Sequence, residues 1–417
     1  MRQAPAMDAS RAPLAPASGR TLWLSRIAVS NFRCYAAAEL ETDGRPVVLA
    51  GPNGAGKTNL LEAISYLSPG RGLRRAKLSE VDRIVPPGRE AATAGGPRVA
   101  SGAWAVAATV MTPEGARELG TGRDPAAGTV DGRARERRLV KIDGAVARSQ
   151  QDLGEIMAVV WLSPRMDGLF RDGASARRRF LDRLVYGFDP AHAGRVSAYE
   201  RSLRERARLL KLGGADSAWL GVLEAGMARH GVAIAAARRD MIKCLAQTCA
   251  VGTGPFPMAG LCLNGELEAA LEDQAALVVE DDLRARFAAA RTRDAASGGA
   301  VLGPHRSDLA VSHLERELPA ALCSTGEQKA LLISIVLAHA RLLALHRGAA
   351  PLLLLDEVAA HLDDRRRAAL FDEVMGLGAQ AWLTGTDAAI FAALGEQASF
   401  FRVHEATVSP AEPPGCS

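Results

Sequence analysis

The chain has 417 residues and a formal net charge of only +4, with 48% hydrophobic, 24% charged and 5% aromatic residues. This is the profile of a globular protein with room for two or three domains, or one large domain with an insertion. Six scattered cysteines with no C-x-x-C pair argue against a zinc site or a disulfide framework and fit a reducing cytosol; no apolar run approaches the roughly eighteen residues of a bilayer span.

In chain order, the Ala/Pro-rich residues 1–20 lack the continuous apolar core of a secretory signal and are expected to form a disordered extension, with Met7 a second candidate start. "LWLSRIAVSNFRCYAAAELET" predicts a strand or two, leading into the apolar "PVVLA" and a helix from the "GKT" of residues 56–58 to about Leu67. A basic loop, "PGRGLRRAKL", follows, then a Gly/Pro-rich loop over 86–102, the strand "AWAVAATVMT" and an extended hairpin with a mobile tip over 113–138. "RLVKIDGAVAR" carries the two-residue hairpin signal Asp143-Gly144. "IMAVVWLSP" is a buried-strand candidate, and Gly173 to about Cys249 reads as three amphipathic helices with no sustained heptad. The last hundred residues alternate helix "TGEQKALLISIVLAHARLLAL", strand "PLLLLDE", helix "DDRRRAALFDEVMGL" and strand "QAWLTGTD". Strand-helix alternation at both ends around a helical middle points to one α/β domain interrupted by an insertion.

Chemistry enters at "GPNGAGKT", that is Gly51, Pro52, Asn53, Gly54, Ala55, Gly56, Lys57 and Thr58. It matches the P-loop G-x-x-x-x-G-K-[ST] in its required place between strand and helix. Glycines let backbone N–H groups close on a phosphate at the positive end of a helix. Lys57 would reach the β- and γ-phosphates, and the Thr58 hydroxyl would serve Mg2+. The apolar strand ending in Asp356 and Glu357 supplies the second half of such a site: an acid for Mg2+ and one to orient or deprotonate an attacking water. The separation of 299 positions from Lys57 to Asp356 means that the sheet is assembled from chain ends. Ser324, Gly326 and Gln328 open a long helix just upstream. Ser324 or Thr325 would cap it with Glu327 or Gln328 as box partner, and the same helix start makes a second anion site, usable on a partner's γ-phosphate in a head-to-tail dimer.

Together these stretches, with "SNFRCY", "LSPRMDGLFRDGASARRRFLD", "GPHRSDL", "HLDD" and "LTGTD", resemble ATP-binding-cassette (ABC) ATPases of the SMC/Rad-fifty type, and more narrowly the RecF family of bacterial recombination-repair ATPases. The resemblance runs from about residue 22 to 387. It implies an α/β fold: an ABC-type P-loop head, lobe I, built from residues 21–164 and 301–405, an inserted and largely helical lobe II over 165–300, and a tail over 406–417. It further implies ATP and Mg2+ as cofactors, an ATP-dependent homodimer, slow hydrolysis, and binding of double-stranded DNA near single-strand gaps. The partners it implies are RecR and RecO, which help load RecA, and the location is cytoplasmic. By the same resemblance Asn53 and Lys57 contact phosphates, Thr58 and Asp356 serve Mg2+, and Glu357 is the catalytic base. Ser324 and Gly326 reach the partner's ATP, and Asp363 lies on the dimer-spanning loop. Arg33 either reaches the nucleotide or is a surface ion-pair residue. The chain departs from the family at "SPRMD", where Arg165 replaces an acid and no Gln is present. It also carries Thr386 where transporters have a histidine after the last strand.

Between Arg165 and Lys211 lies an excess of six basic residues, more than the whole chain's net charge. Arg177, Arg178 and Arg179, with Arg204 and Arg206, are candidates for DNA phosphate contacts; a solvated helix face laced with i,i+4 pairs such as Glu200–Arg204 reads as well from sequence. Arg74, Arg75 and Lys77 compete with them. Two other functions fit the nucleotide motifs: the ATPase subunit of a membrane transporter, and a structural head that binds ATP without turnover. Salt-sensitive duplex binding separates the first reading from both.

Overall fold

The structure is a computed structural model. It describes residues 22–85, 98–99, 103–124, 129–130, 133–134, 136–213, 216–252 and 254–415. The extension expected over 1–20, most of the loop over 86–102 and the tip of the 113–138 hairpin lie outside these residues.

The first part of the chain comprises β1 (Trp23–Phe32), β2 (Tyr35–Glu41), β3 (Val47–Ala50), α1 (Lys57–Ser65), β4 (Ala105–Thr112), β5 (Gly115–Arg123), β6 (Arg138–Ile142), β7 (Ala145–Val146) and β8 (Val159–Leu162). The middle comprises α2 (Ala174–Tyr186), α3 (His192–Leu212), α4 (Ser217–Ala250), β9 (Ala259–Asn264), α5 (Glu266–Asp273), α6 (Ala276–Ala289) and α7 (Arg291–Ser297). The last part comprises β10 (Asp308–His313), β11 (Leu318–Pro319), α8 (Thr325–Arg347), β12 (Leu352–Leu355), α9 (Asp364–Gly376), β13 (Ala381–Gly385), β14 (Ser399–His404) and β15 (Thr407–Ala411).

Two six-stranded sheets carry the architecture. One is antiparallel, in the order β7-β6-β5-β4-β1-β2. The other has the order β8-β12-β13-β3-β14-β15 and is parallel except for its last strand. Parallel strands are covered on both faces, so they read as continuous apolar runs, and "LLLL" of β12 is buried throughout. The period of two still sorts its side chains. Leu352 and Leu354 join Val47, Leu49 and Trp382 on the face toward α1 and the antiparallel sheet. Leu353 and Leu355 join Val48 and Leu383 on the face toward α8. The α8 helix alone among the described residues is long and apolar enough to cross a membrane, but 72% of its most apolar window is buried inside the fold.

Arg138 binds the two sheets' layers together. Its guanidinium donates to the carbonyls of Tyr66 and Gly70 past the end of α1, the latter at 2.7 Å, and lies 5.2 Å from the Tyr66 ring centroid. Burial pushes its pKa down to about 10. Orphan carbonyls at a helix C-terminus are satisfied here by a cation from β6.

The helical middle is divided between two cores. Phe180, Leu181 and Leu184 of α2 and Met241, Ile242 and Leu245 of α4 pack with α8. Tyr199, Met227, Leu283 and Phe287 form a separate cluster farther out. The sheet partner of β9 is β10, beyond residue 300. "GPHRSDL" stitches these pieces together. The Pro304 carbonyl accepts from Arg238 at 2.6 Å, His305 Nδ1 meets the Tyr199 hydroxyl at 2.7 Å, and Ser307 O accepts from Arg178 at 2.7 Å.

Arg238 also grips Asp182 with two hydrogen bonds of 2.8 Å, and His192 Nε2 lies 2.9 Å from the same carboxylate. Burial would push the Asp182 carboxyl up; the His192 hydrogen bond and the Arg238 charge outweigh it and hold the carboxyl below its ordinary value. A depressed folded pKa gives stability that is fully present above the unfolded value of about 4 and is lost as pH falls through the folded one. Urea unfolding followed from pH 6 down to 3 should therefore show an acid limb that Asp182→Asn makes shallower. An unchanged limb would remove Asp182 from the acid response.

Candidate functional site

The P-loop joins β3 to α1 at the centre of the parallel sheet, and its glycines are demanded by what surrounds them. A Cβ on Gly51 would sit 2.0 Å from the Val403 carbonyl oxygen. Gly56 has φ +119°, and a Cβ there would lie 2.7 Å from the Tyr35 hydroxyl and 3.0 Å from Cys34 Sγ. The loop is propped from outside by Ala406 N–H donating to Ala55 O at 3.0 Å and Tyr35 Oη donating to Gly56 O at 3.2 Å. Pro52, Asn53 and Gly54 are exposed. Lys57, 4% exposed, donates to the carbonyls of Gly51 at 2.5 Å and Pro52 at 2.9 Å. Burial lowers its pKa, opposed by the charges of Glu357 and Asp356.

Thr58, the second residue of α1, donates through Oγ1 to Asp356 Oδ1 at 2.9 Å across 298 positions of sequence. The chain ends are thus brought to one point by the pairing of β3 with β13 and β13 with β12. A second hydroxyl, Thr384 of β13, donates to the same oxygen at 2.8 Å. Burial raises the Asp356 pKa, and the two hydroxyl hydrogen bonds oppose it. Immediately after Asp356 the strand breaks. Glu357 adopts φ +53°, a left-handed conformation uncommon for a non-glycine residue, and its N–H donates to Thr384 Oγ1 at 2.9 Å. Such local strain costs on the order of 1–3 kcal/mol and persists where the surroundings over-determine it. It holds Glu357 half-buried beside Asp356 and Lys57.

Thr384 escapes a reading from sequence. The expected switch residue, Thr386, lies two positions on, past the end of β13 and exposed. The signal was the strand's continuous burial, which points the earlier threonine of "LTGT" inward. Thr384→Val keeps the shape but strips a hydrogen bond from a buried carboxylate and an acceptor from the Glu357 N–H. We expect about 1–3 kcal/mol lower stability and a turnover defect, both larger than for Thr386→Val. Equal effects in unfolding and hydrolysis assays would deny Thr384 this role.

At the start of α8, Ser324 and Glu327 form a reciprocal capping box. The Ser324 N–H donates to Glu327 Oε2 at 2.9 Å, and the Glu327 N–H donates to Ser324 Oγ at 3.4 Å. Ser324, Thr325 and Gly326 remain exposed. Gln328 corrects its expected role: it is 2% exposed and turned inward, donating to Cys323 O at 2.8 Å, so it faces no nucleotide. Lys329 runs beneath the same helix to Asp167, 3.6 Å away in the "SPRMD" segment, while Arg165 there is exposed. Asp363 is exposed and caps α9, accepting from the Arg366 N–H at 2.8 Å. Arg33 takes the ion-pair alternative: it donates to both oxygens of the fully buried Glu62, at 2.7 and 2.9 Å.

The basic candidates separate sharply. Arg206 is 1% exposed between Glu224 and Asp294 and is removed from any DNA-contacting surface. Arg74 folds back onto Asn59 and Glu62 of α1, and Arg177 pairs with Asp308 at 2.7 Å. Arg178 is committed to Ser307 O. Arg204 is exposed and lies 3.8 Å from Glu200, as the i,i+4 alternative expects. Arg75, Lys77 and Arg179 are exposed.

The residues present fit a nucleotide with a magnesium ion. The glycine loop leaves room for backbone to meet phosphate, and Thr58 Oγ1 and Asp356 Oδ1 are hard oxygen donors already side by side. Among the described residues no cluster of three His, Cys, Asp or Glu forms a cation cage, and magnesium bound through one carboxylate, a hydroxyl, water and phosphates needs none.

Residues 23–407 match the family model for the RecF/RecN/SMC N-terminal domain. The protein from Rhizobium etli named DNA replication and repair protein RecF is 46% identical over 387 residues, covering 92% of this chain and 98% of its own. The protein of the same name from Mesorhizobium japonicum is 48% identical over 391 residues, covering 93% and 98%. Among solved structures, the recombination mediator protein RecF of the RecFOR pathway, with ATP, shares the fold with a TM-score of 0.75 at 22% identity, covering 94% of this chain and 98% of that one.

Proposed function

The chain belongs to the RecF/RecN/SMC family, and within it to RecF; from that membership we propose that it is an ATP-dependent DNA-binding protein of recombinational repair and replication restart. ABC-type ATPase chemistry comes with the family, and the transporter reading is set aside by it. The observation that carries the reading is the Thr58–Asp356 contact at 2.9 Å beside Glu357: a P-loop and an acidic strand from opposite ends of the chain meet as a phosphate-hydrolysing site requires.

In this reading Lys57 and backbone N–H groups of residues 53–58 would bind the phosphates, and Thr58 and Asp356 would hold Mg2+, which would supply neutralisation of charge developing on the phosphoryl group as it passes to water. Glu357 accepts a proton from the attacking water. Ser324 and Gly326, exposed at the positive end of α8, close on the partner subunit's γ-phosphate. Slow, DNA-stimulated hydrolysis then works as a switch on a homodimer that holds double-stranded DNA beside single-strand gaps in the cytoplasm. The names of its relatives support replication and repair as the setting, and the pathway named for the RecF structure supports RecO and RecR as partners, with RecA loading as the outcome.

Sedimentation of the wild-type protein with ATP and Mg2+, against ADP, tests this, run with and without gapped duplex. The expected result is a dimer that retains duplex with ATP and a monomer that releases it with ADP. A dimer indifferent to DNA would keep the cassette chemistry and refute the repair function.

A further inference from the structure

We propose that duplex DNA docks its phosphodiester backbone on the surface where the loop following α1 meets α2, held by Arg71 and Arg75 of the loop and by Arg179 and Arg183 of the helix. The inference rests on the DNA-binding reading above and names its site.

Among the described residues, none of these four arginines has a carboxylate within ion-pair distance, whereas several of their neighbours are paired: Arg33 and Arg74 with Glu62, Arg177 with Asp308, Arg195 with Asp189. The loop and the helix are neighbours: Ser68 and Pro69 of the loop and Arg183 and Tyr186 of α2 line one small cavity of about 30 Å³. Arg179 and Arg183 stand one helical turn apart on α2. The charges are close enough to act on one another: burial, then Arg179 and Arg71, depress the Arg75 pKa, and burial followed by Arg75 pushes Arg183 down to about 9. The acid that acts on Arg75, Glu200, is itself engaged with Arg204 at 3.8 Å.

Like charges gathered without counter-charges are unfavourable until an anion arrives, and two of these four are held in place. Arg183 is clamped 4.6 Å from the Trp161 ring centroid and 5.4 Å from that of Phe180, with Met166 Sδ at 3.4 Å. Arg75 sits at φ +56°, a conformation that persists only where its surroundings hold it. Preset cations suit a repeating polyanion, and guanidinium groups aimed at phosphate carry no base readout. The placement also links DNA to nucleotide. The P-loop Lys57 and Thr58 begin α1 and the arginine loop follows its other end, so about 14 Å of one rigid helix joins the two ligands.

Removing two phosphate contacts should lower the slope of log affinity against log salt by about 1.8. Between 50 and 200 mM salt, wild type should therefore lose about twelvefold more affinity for a 30-base-pair duplex than Arg75→Gln/Arg179→Gln. Arg71→Gln/Arg179→Gln, which leaves the left-handed position untouched, should behave alike, and Arg284→Gln, on the exposed face of α6, should keep the wild-type slope. Wild-type slopes in both double variants overturn the proposal. Inorganic phosphate, tested by equilibrium dialysis without DNA, separates the other source of this chemistry: phosphate binding lost in the double variants while the duplex slope stays put would assign the arginine cluster to a free anion and overturn the proposal as well. Failure of wild type to retain duplex at any salt would instead refute the function from which it starts.

Discussion

Glu357→Gln should lower the rate of ATP hydrolysis by about 10²–10⁴-fold, the usual contribution of a positioned general base, while leaving ATP binding intact. Glutamine keeps the size and the backbone N–H that donates to Thr384 Oγ1 at 2.9 Å, so the left-handed turn after Asp356 is retained. It loses the negative charge and, with it, the capacity to take a proton. The groups proposed to bind phosphate lie after β3 and at the start of α1, with Lys57 anchored by the Gly51 and Pro52 carbonyls rather than by Glu357. Binding and turnover therefore separate. With hydrolysis blocked, the ATP form accumulates, and by mass action anything that binds only that form is stabilised with it. A dimer and a DNA complex that decay over a wild-type turnover should persist in the variant. Single-turnover hydrolysis and sedimentation on the same samples check both halves. Hydrolysis within threefold of wild type would take the role of base away from Glu357. Loss of ATP binding would mean instead that its charge is part of the binding site.

The candidate nucleotide site was legible where covalent sequence and local geometry are the same thing. A glycine spacing between strand and helix makes a loop of P-loop form, an apolar strand ending in two acids makes an inner strand of the same sheet, and a Ser-x-x-Glu pair makes a capping box, all as found at residues 51–58, 352–357 and 324–327. What sequence could not supply was direction. Thr384 and Thr386 share residue type and neighbourhood, but only the former lies inside β13, buried and within reach of Asp356. Gln328 lies two residues past the exposed Gly326, enough on a helix of 3.6 residues per turn to rotate it to the opposite side and into the core. The arginines were hardest, because a positive side chain is equally at home on phosphate or on an acid brought from far along the chain. Arg177 meets Asp308 across 131 positions, and nothing local to "ARRRF" announces it.

Arg206 is the extreme case, and replacing it should unfold the helical region rather than release DNA. Its guanidinium donates to Glu224 Oε1 at 2.9 Å, Asp294 Oδ2 at 2.7 Å and the Phe287 carbonyl at 2.7 Å, joining α3 to α4, α7 and the end of α6. Arg291 supplies a second cation, donating to Glu224 at 2.6 and 3.0 Å, so Glu224 keeps a partner when Arg206 is removed. Asp294 has no such reserve. It is 2% exposed, and its other contact is the Val301 N–H at 3.3 Å. Arg206→Met should therefore strand one buried carboxylate, a loss of about 3–5 kcal/mol for breaking a desolvated pair. Because a buried ion pair is often replaceable by apolar groups of similar volume, Arg206→Met/Asp294→Leu should recover part of that loss. Urea unfolding of wild type and both variants reads the stability. The salt slope of duplex binding, taken where the variants remain folded, reads the alternative: a phosphate contact would lower it by about one per arginine removed, and a residue 1% exposed should leave it unchanged. Full stability with a shallower slope would put Arg206 back on the DNA. The opposite pattern assigns this arginine, in the most basic stretch of the chain, to holding the helices together.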